Sequence, residues 1–159
     1  MSDEQTFDFL VGRWQARGRA MGPEGRWEPV DMVWMSHAIL DGHAIAGTYQ
    51  TRGADHELRV TALDFRRYDP KAGRWIIEWL DPGSGQLRTQ VGGRDGEVRR
   101  SGNAVSMTSR SSGFLHRERF QDIAPDRFVY RAEISRDEGD SWTLIEDTEL
   151  IREGDPAHA

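Results

Sequence analysis

The chain of 159 residues contains no cysteine. This absence excludes disulfide bonds, thiol nucleophiles, and zinc or iron–sulfur sites held by cysteine. No apolar run approaches the roughly 20 residues that a helix needs to cross a membrane, so we expect no membrane partner. The opening residues, Met-Ser-Asp-Glu-Gln-Thr, lack the basic and apolar regions of a secretory signal. The sequence therefore predicts a cytoplasmic protein.

The chain also lacks an excess of basic residues. Its 21 Lys and Arg residues stand against 27 Asp and Glu residues, which gives a net charge of -6. Surfaces that bind nucleic acid usually carry a basic excess, so we expect no nucleic-acid partner. Arg94, Arg99 and Arg100 lie close together, but they alternate with Asp95 and Glu97, a pattern typical of a solvated hairpin.

Helical signals are few and are confined to residues 3–10, before Gly12. The remaining chain alternates strand-like segments with turn chemistry, such as Asp-Pro-Lys-Ala-Gly at 69–73. The predicted strands cover residues 13–20, 27–40, 43–51, 58–68, 74–80, 86–92, 97–101, 104–111, 114–123, 127–135 and 141–152. Every connection is too short for the crossover helix that parallel strands need.

We therefore predict one domain over residues 1–159 with an all-β fold. It is a single closed antiparallel up-and-down β-barrel of about ten strands, with a short N-terminal helix over 3–10 and a polar tail over 153–159. Trp14 opens the first predicted strand and Arg152 lies in the last. We assign both a structural role: the indole plugs one end of the barrel, while the guanidinium lies across it and donates to carbonyls that the short helix leaves free.

Several segments carry a family resemblance. They are Phe7-Asp8-Phe9-Leu10 before Gly12-Arg13-Trp14, Ile39-Leu40-Asp41-Gly42, the run from Tyr68 to Trp75, and the hairpin from Ser135 to Trp142 leading into Thr148-Glu149-Leu150-Ile151-Arg152. In order and spacing the chain resembles a family of bacterial lipocalin-like proteins of unassigned function, within the calycin group. The resemblance implies a closed β-barrel with a short N-terminal helix, and it implies no reaction.

Haem-binding barrels of the nitrobindin type are related to this family in fold. Their axial ligand is a histidine late in the chain. The last predicted strand here, residues 141–152, contains no histidine, and His158 lies in the polar tail.

Large rings dominate the apolar residues, with six Trp and six Phe. Rings of this kind line ligand cavities, although in small barrels they also fill the core. The side chains that we predict to bind a small apolar or aromatic molecule are Tyr49, Trp75, Trp79, Phe114, Phe120, Phe128, Tyr130, His37 and His43.

His116 and Glu118 lie two residues apart in a predicted strand, so their side chains share a face. They are the candidate catalytic residues, because a carboxylate can orient an imidazole for proton transfer. The alternative is a hydrogen-bonded polar pair without catalysis. Asp64 and Glu78 also lie within apolar strands. Each is a candidate functional carboxylate, but we expect both to face solvent.

His37 and His43 bracket a predicted turn, and together with Asp41 or Glu118 they are a candidate divalent-metal site. Their spacing matches no established metal signature. We assign the chain no metal and no cofactor.

Three functions follow from these residues. The first is a barrel that binds a small molecule in its interior. The second is a cofactor-independent enzyme that uses acid–base catalysis in the same pocket. The third is haem or metal binding through histidine. The strand around residues 30–35 is apolar on both faces, and it is the candidate patch for a homodimer.

Overall fold

The computed structural model describes residues 5–52, 55–81, 86–91, 98–111 and 113–154. Within these ranges, eleven strands form one antiparallel sheet in the order β6-β5-β4-β3-β2-β1-β11-β10-β9-β8-β7. The strands are β1 Gly12–Met21, β2 Trp27–Ile39, β3 Ala44–Arg52, β4 Leu58–Asp69, β5 Arg74–Asp81, β6 Gln86–Val91, β7 Val98–Ser101, β8 Ala104–Ser111, β9 Phe114–Gln121, β10 Arg127–Ser135 and β11 Thr143–Arg152. The all-β antiparallel prediction is confirmed.

Turn chemistry explains why these strands fold as successive hairpins. In the turn between β4 and β5, the Asp69 carboxylate accepts hydrogen bonds from the backbone N–H groups of Lys71 and Ala72 at 3.1 and 3.2 Å. Gly73 ends that turn at a φ of 62°, a conformation that glycine adopts without steric cost. Local turns of this kind place neighbours in sequence side by side in the sheet.

The sheet curls into a nearly closed barrel. The first and last strands, β1 and β11, pair with Trp14 opposite Arg152. At the other junction β6 lies beside β8. Hydrogen-bonded pairing among the described residues does not bridge that junction, so closure is incomplete there.

Trp14 plugs one end of the barrel. Its ring is fully buried, and its Nε1 donates to the Leu10 carbonyl at 2.8 Å. The Arg152 guanidinium lies 4.0 Å from the ring centroid and donates to the carbonyls of Val11 at 2.9 Å and Pro125 at 2.6 Å. One cation therefore ties the last strand to the indole and to two chain segments around it.

The helix predicted over residues 3–10 is much smaller in the structure. Residues 1–4 lie outside the described ranges, and the helical part is a 3-10 helix at Asp8–Leu10. Phe7 and Leu10, three residues apart, are both fully buried, which fits the three-residue period of this helix. The 3-10 helix ends at Leu10, and Val11 is already extended, which leads the chain directly into β1. Among the described residues, no helix has the length and hydropathy to cross a membrane.

Packed rings fill the plugged half of the barrel. Phe7 meets Trp75 edge to face at 4.9 Å, and Trp14 meets Phe128 at 4.7 Å. Phe120 lies 5.9 Å from Phe7. Trp75, Phe120 and Phe128, which we predicted to line a cavity, thus belong to this core, because the interior at their level is occupied by other rings.

Replacing Arg152 with Lys tests the plug. An ammonium cannot stack on the indole and reach both carbonyls at once. We expect a loss of about 1–3 kcal/mol in the free energy of unfolding, measured by urea denaturation. Arg17→Lys, at an exposed position on β1, is the matched control and should change little. Equal effects of the two substitutions would show that Arg152 has no special role in closure.

Candidate functional site

A cavity of about 450 Å³ opens at the end of the barrel opposite Trp14. Strands β1 to β5, β10 and β11 contribute its walls. The lining residues are Ala20, Pro29, Val30, Asp31, Met32, Trp34, Tyr49, Thr51, Arg52, Thr61, Ala62, Trp79, Tyr130, Glu146, Thr148 and Leu150.

Four aromatic rings form the inner wall of this cavity. Trp34 stacks on Tyr49 with centroids 4.9 Å apart, and Tyr49 contacts Trp79 at 4.7 Å. Tyr130 meets Trp34 at 6.5 Å in an edge-on arrangement. Each ring occupies an inward position because strand side chains alternate between the two faces of the sheet. The result is an apolar, aromatic surface around an open volume.

Below the rings lies a buried ionic group, here named the Arg66 cluster, of Asp64, Arg66 and Glu118. The side chains of Arg66 and Asp64 are 1% and 2% exposed. Arg66 Nε donates to Asp64 Oδ2 at 2.8 Å, while its Nη2 donates to Glu118 Oε1 at 3.3 Å. The expectation that Asp64 faces solvent is therefore wrong. Asp64 and Arg66 share the inward face of β4, where the guanidinium compensates the buried carboxylate.

Two phenols connect the Arg66 cluster to the cavity. Tyr49 Oη donates to Asp64 Oδ2 at 3.5 Å, and Tyr130 Oη donates to Glu118 Oε1 at 3.2 Å. Gly47 leaves the room that the cluster needs, since a Cβ there would collide with Asp64 Oδ1. The two tyrosine rings of the cavity are thus held in place by hydrogen bonds to buried charges.

The protonation states in the cluster follow from burial and from Arg66. Burial raises the pKa of Asp64, and the charge of Arg66 only partly offsets this effect. Burial alone would also raise the pKa of Glu118, but Arg66 and His116 lower it below the ordinary value. Burial raises the pKa values of Tyr49 and Tyr130 well above normal. Glu118 is therefore an ionised partner of Arg66, and both phenols remain donors.

Glu146 is a titratable group on the cavity wall that sequence reasoning missed. Its carboxylate accepts a hydrogen bond from Thr148 Oγ1 at 3.4 Å. Burial, supported by the charge of Glu118, raises its pKa to about 7. The signal was present in the sequence, because Glu146, Thr148 and Leu150 alternate along β11 and Leu150 is core-like. A carboxyl of this kind exchanges its proton at neutral pH.

The predicted ligand-binding residues separate into three groups. Tyr49, Trp79 and Tyr130 line the cavity, whereas Trp75, Phe120 and Phe128 belong to the packed core described above. Phe114 is half-buried, with the Arg136 guanidinium 5.9 Å from its ring centroid. Within the described residues, Phe114 is not part of the cavity lining.

The cavity lining includes none of the three histidines that we singled out, His37, His43 and His116. His37 and His43 are exposed. In the described ranges, no three His, Cys, Asp or Glu residues are arranged to hold a metal ion. His116 is half-buried and acts electrostatically on Glu118, so this predicted pair is brought together. In the described part of the chain, neither member is among the residues that line the cavity.

No protein-family model matches the chain, and no curated protein matches it. Solved structures do. Rv2717c from M. tuberculosis aligns with a TM-score of 0.64 at 16% identity, over 97% of this chain and 99% of that one. The S-type phycobiliprotein lyase CPES from Guillardia theta aligns with a TM-score of 0.59 at 12% identity, over 98% of this chain and 94% of that one. These likenesses show the barrel fold alone.

Glu146→Gln tests the environment of the cavity carboxyl. Because the folded-state pKa of about 7 lies above the ordinary 4.5, the stabilisation that protonated Glu146 contributes is present below pH 4.5 and is lost as the pH rises to 7. Wild type and variant should therefore have similar Tm values near pH 4.5. At pH 8 the variant should be more stable by a few degrees, with each kcal/mol giving about 2–4 °C.

Glu149→Gln, at an exposed position on the same strand, is the control for this comparison. It should show no comparable gain in Tm between the two pH values. If the difference in Tm between Glu146→Gln and wild type is the same at both pH values, Glu146 is exposed to water and its pKa is not raised by burial.

Proposed function

We propose that this barrel binds a small, largely apolar or aromatic molecule in the cavity lined by Trp34, Tyr49, Trp79 and Tyr130. The observation that supports this proposal most strongly is that the interior changes along the barrel axis from closely packed to open. Rings pack against rings below the Arg66 cluster, but above it they surround about 450 Å³ of open volume. This volume falls within the roughly 300–1,000 Å³ range of small-molecule sites.

The structural comparisons are consistent with this role. One neighbour is a phycobiliprotein lyase, which favours a barrel that handles a small ligand. We further propose that the chain is a bacterial lipocalin-like barrel of the calycin group, that it forms a single domain, and that it acts in the cytoplasm.

The second candidate is an acid–base enzyme. For this function we propose Glu146 as the proton-transfer group in place of the predicted His116–Glu118 pair. Glu118 is held by Arg66 and Tyr130, whereas Glu146 lies on the cavity wall with a pKa of about 7. That is the range in which general acid–base catalysis is most effective.

The proposed homodimer patch needs a different interpretation. Met32 and Trp34 line the cavity, while Val33 on the other face of β2 is 1% exposed. Met35, on the same face as Val33, is half-buried, so this strand leaves only part of the predicted apolar patch exposed. The homodimer stays a prediction.

Filling the cavity tests the binding proposal. Ala20→Phe places a ring at the half-buried cavity end of β1, and Ala46→Phe, at a half-buried position on β3 outside the cavity lining, is the matched control. We expect wild type and Ala46→Phe to bind the neutral dye Nile red with similar affinity in a fluorescence titration. Ala20→Phe should weaken binding at least tenfold. Unchanged affinity in Ala20→Phe would place the dye elsewhere and contradict the proposal.

A further inference from the structure

The charges inside the described barrel are unequal in number. Three carboxyl groups, those of Asp64, Glu118 and Glu146, accompany one buried guanidinium, that of Arg66. Arg66 is already engaged by Asp64 and Glu118. The interior therefore carries more acid than base, and the additional acid is the group that faces the cavity.

The carboxylate of Glu146 lies beside a hydroxyl group, and in the described part of the chain it has no cationic partner. Thr148 Oγ1 is its hydrogen-bond partner, and within the described ranges no Arg, Lys or His forms an ion pair with it. A carboxylate in an apolar wall is favourable only when a positive charge or several donors compensate it. The cavity leaves room for such a charge.

The charged groups at the cavity mouth have partners of their own. Arg52 Nη1 donates to the His56 carbonyl at 2.8 Å. Asp31 accepts a hydrogen bond from Gln15 at 2.7 Å. Arg52 and Asp31 are also exposed to solvent, which screens their charges. Glu146 is half-buried on the cavity wall and has no cation beside it among the described residues, so its charge is the one that a ligand would compensate.

The aromatic wall also favours a cation. The faces of Trp and Tyr rings attract ammonium groups, and the attraction is stronger when the contact is desolvated. Trp34, Tyr49, Trp79 and Tyr130 surround the volume that Glu146 borders. Rings of this kind beside one carboxylate are the chemistry by which proteins recognise organic cations.

We infer that the molecule bound in this cavity carries a positive charge, as an amine or another organic cation whose charged group lies against Glu146. This inference rests on the proposed binding function and specifies its ligand class.

Binding should then depend on pH through Glu146. Its pair partners on the neighbouring strands are Ala20 on β1 and Ala132 on β10, which do not titrate. The other titratable or charged groups around the cavity and its base are Asp31, Tyr49, Arg52, Asp64, Arg66, Glu118 and Tyr130. Since the Glu146 pKa is about 7, preference for a cation should be strong at pH 8 and lost near pH 5.5.

A pair of probes with the same shape isolates the charge. Benzyltrimethylammonium keeps its positive charge at every pH, and 2,2-dimethylpropylbenzene is its neutral carbon analogue. Affinities of both are measured by calorimetry for wild type, Glu146→Gln, Glu146→Asp and the outward control Glu149→Gln. At pH 8 wild type and Glu149→Gln should bind the cation at least tenfold more tightly than the neutral analogue. Glu146→Gln should abolish this preference, and Glu146→Asp should retain part of it.

The other outcomes separate the two proposals. If wild type binds both probes equally and Ala20→Phe weakens both, the cavity binds ligands but the cation inference is wrong. If the preference survives Glu146→Gln or persists at pH 5.5, Glu146 does not hold the charge and the inference is also wrong. If neither probe nor Nile red binds, the proposed function and the inference fall together.

Discussion

The ion pair between Arg66 and Glu118 is the interaction on which the interior depends. It joins β4 to β9, which lie third from opposite ends of the sheet. Among the described residues, those two ends are not hydrogen-bonded to each other. The ion pair therefore connects the two sides of the sheet across the barrel interior. Burying these charges is costly unless each is paired, and Asp64, Tyr49 and Tyr130 complete the pairing. The Arg66 cluster also contacts Phe7 and Phe120 below it. It thereby separates a packed half of the barrel from a half that holds a cavity.

Much of the fold was predictable because its determinants are local. Turn residues at 69–73 and similar sites set strand boundaries to within a few residues. The contact between Trp14 and Arg152 could be predicted because a guanidinium in the last strand can stack on an indole in the first. The buried position of Asp64 was missed because an isolated acid in a strand is usually exposed. Its partner Arg66, two residues later on the same face, was the available signal. The sequence could not identify Glu118 as the third member of the Arg66 cluster. Its contact with Arg66 crosses the barrel interior and therefore depends on how the sheet curls.

The cavity was only partly predictable for a related reason. Alternation along a strand shows which side chains face inward, but it does not show their depth along the barrel axis. Tyr49 and Tyr130 therefore could not be distinguished in advance from Phe120 and Phe128, which face inward at the packed level. Depth depends on strand register, and the structure sets it by pairing Trp14 with both Arg152 and Trp34. Glu146 was missed because a charged residue is usually exposed. Its alternation with Thr148 and Leu150 along β11 nevertheless places it on the inward face.

The most direct test of the Arg66 cluster is the free energy of unfolding of Arg66→Met compared with the triple variant Asp64→Asn, Arg66→Met, Glu118→Gln. The single variant leaves two carboxyl groups buried without their cation, and it should lose about 3–5 kcal/mol. The triple variant removes all three charges and should recover most of that loss. A single variant as stable as wild type, or a triple variant no more stable than the single one, would contradict the central place given to this ion pair.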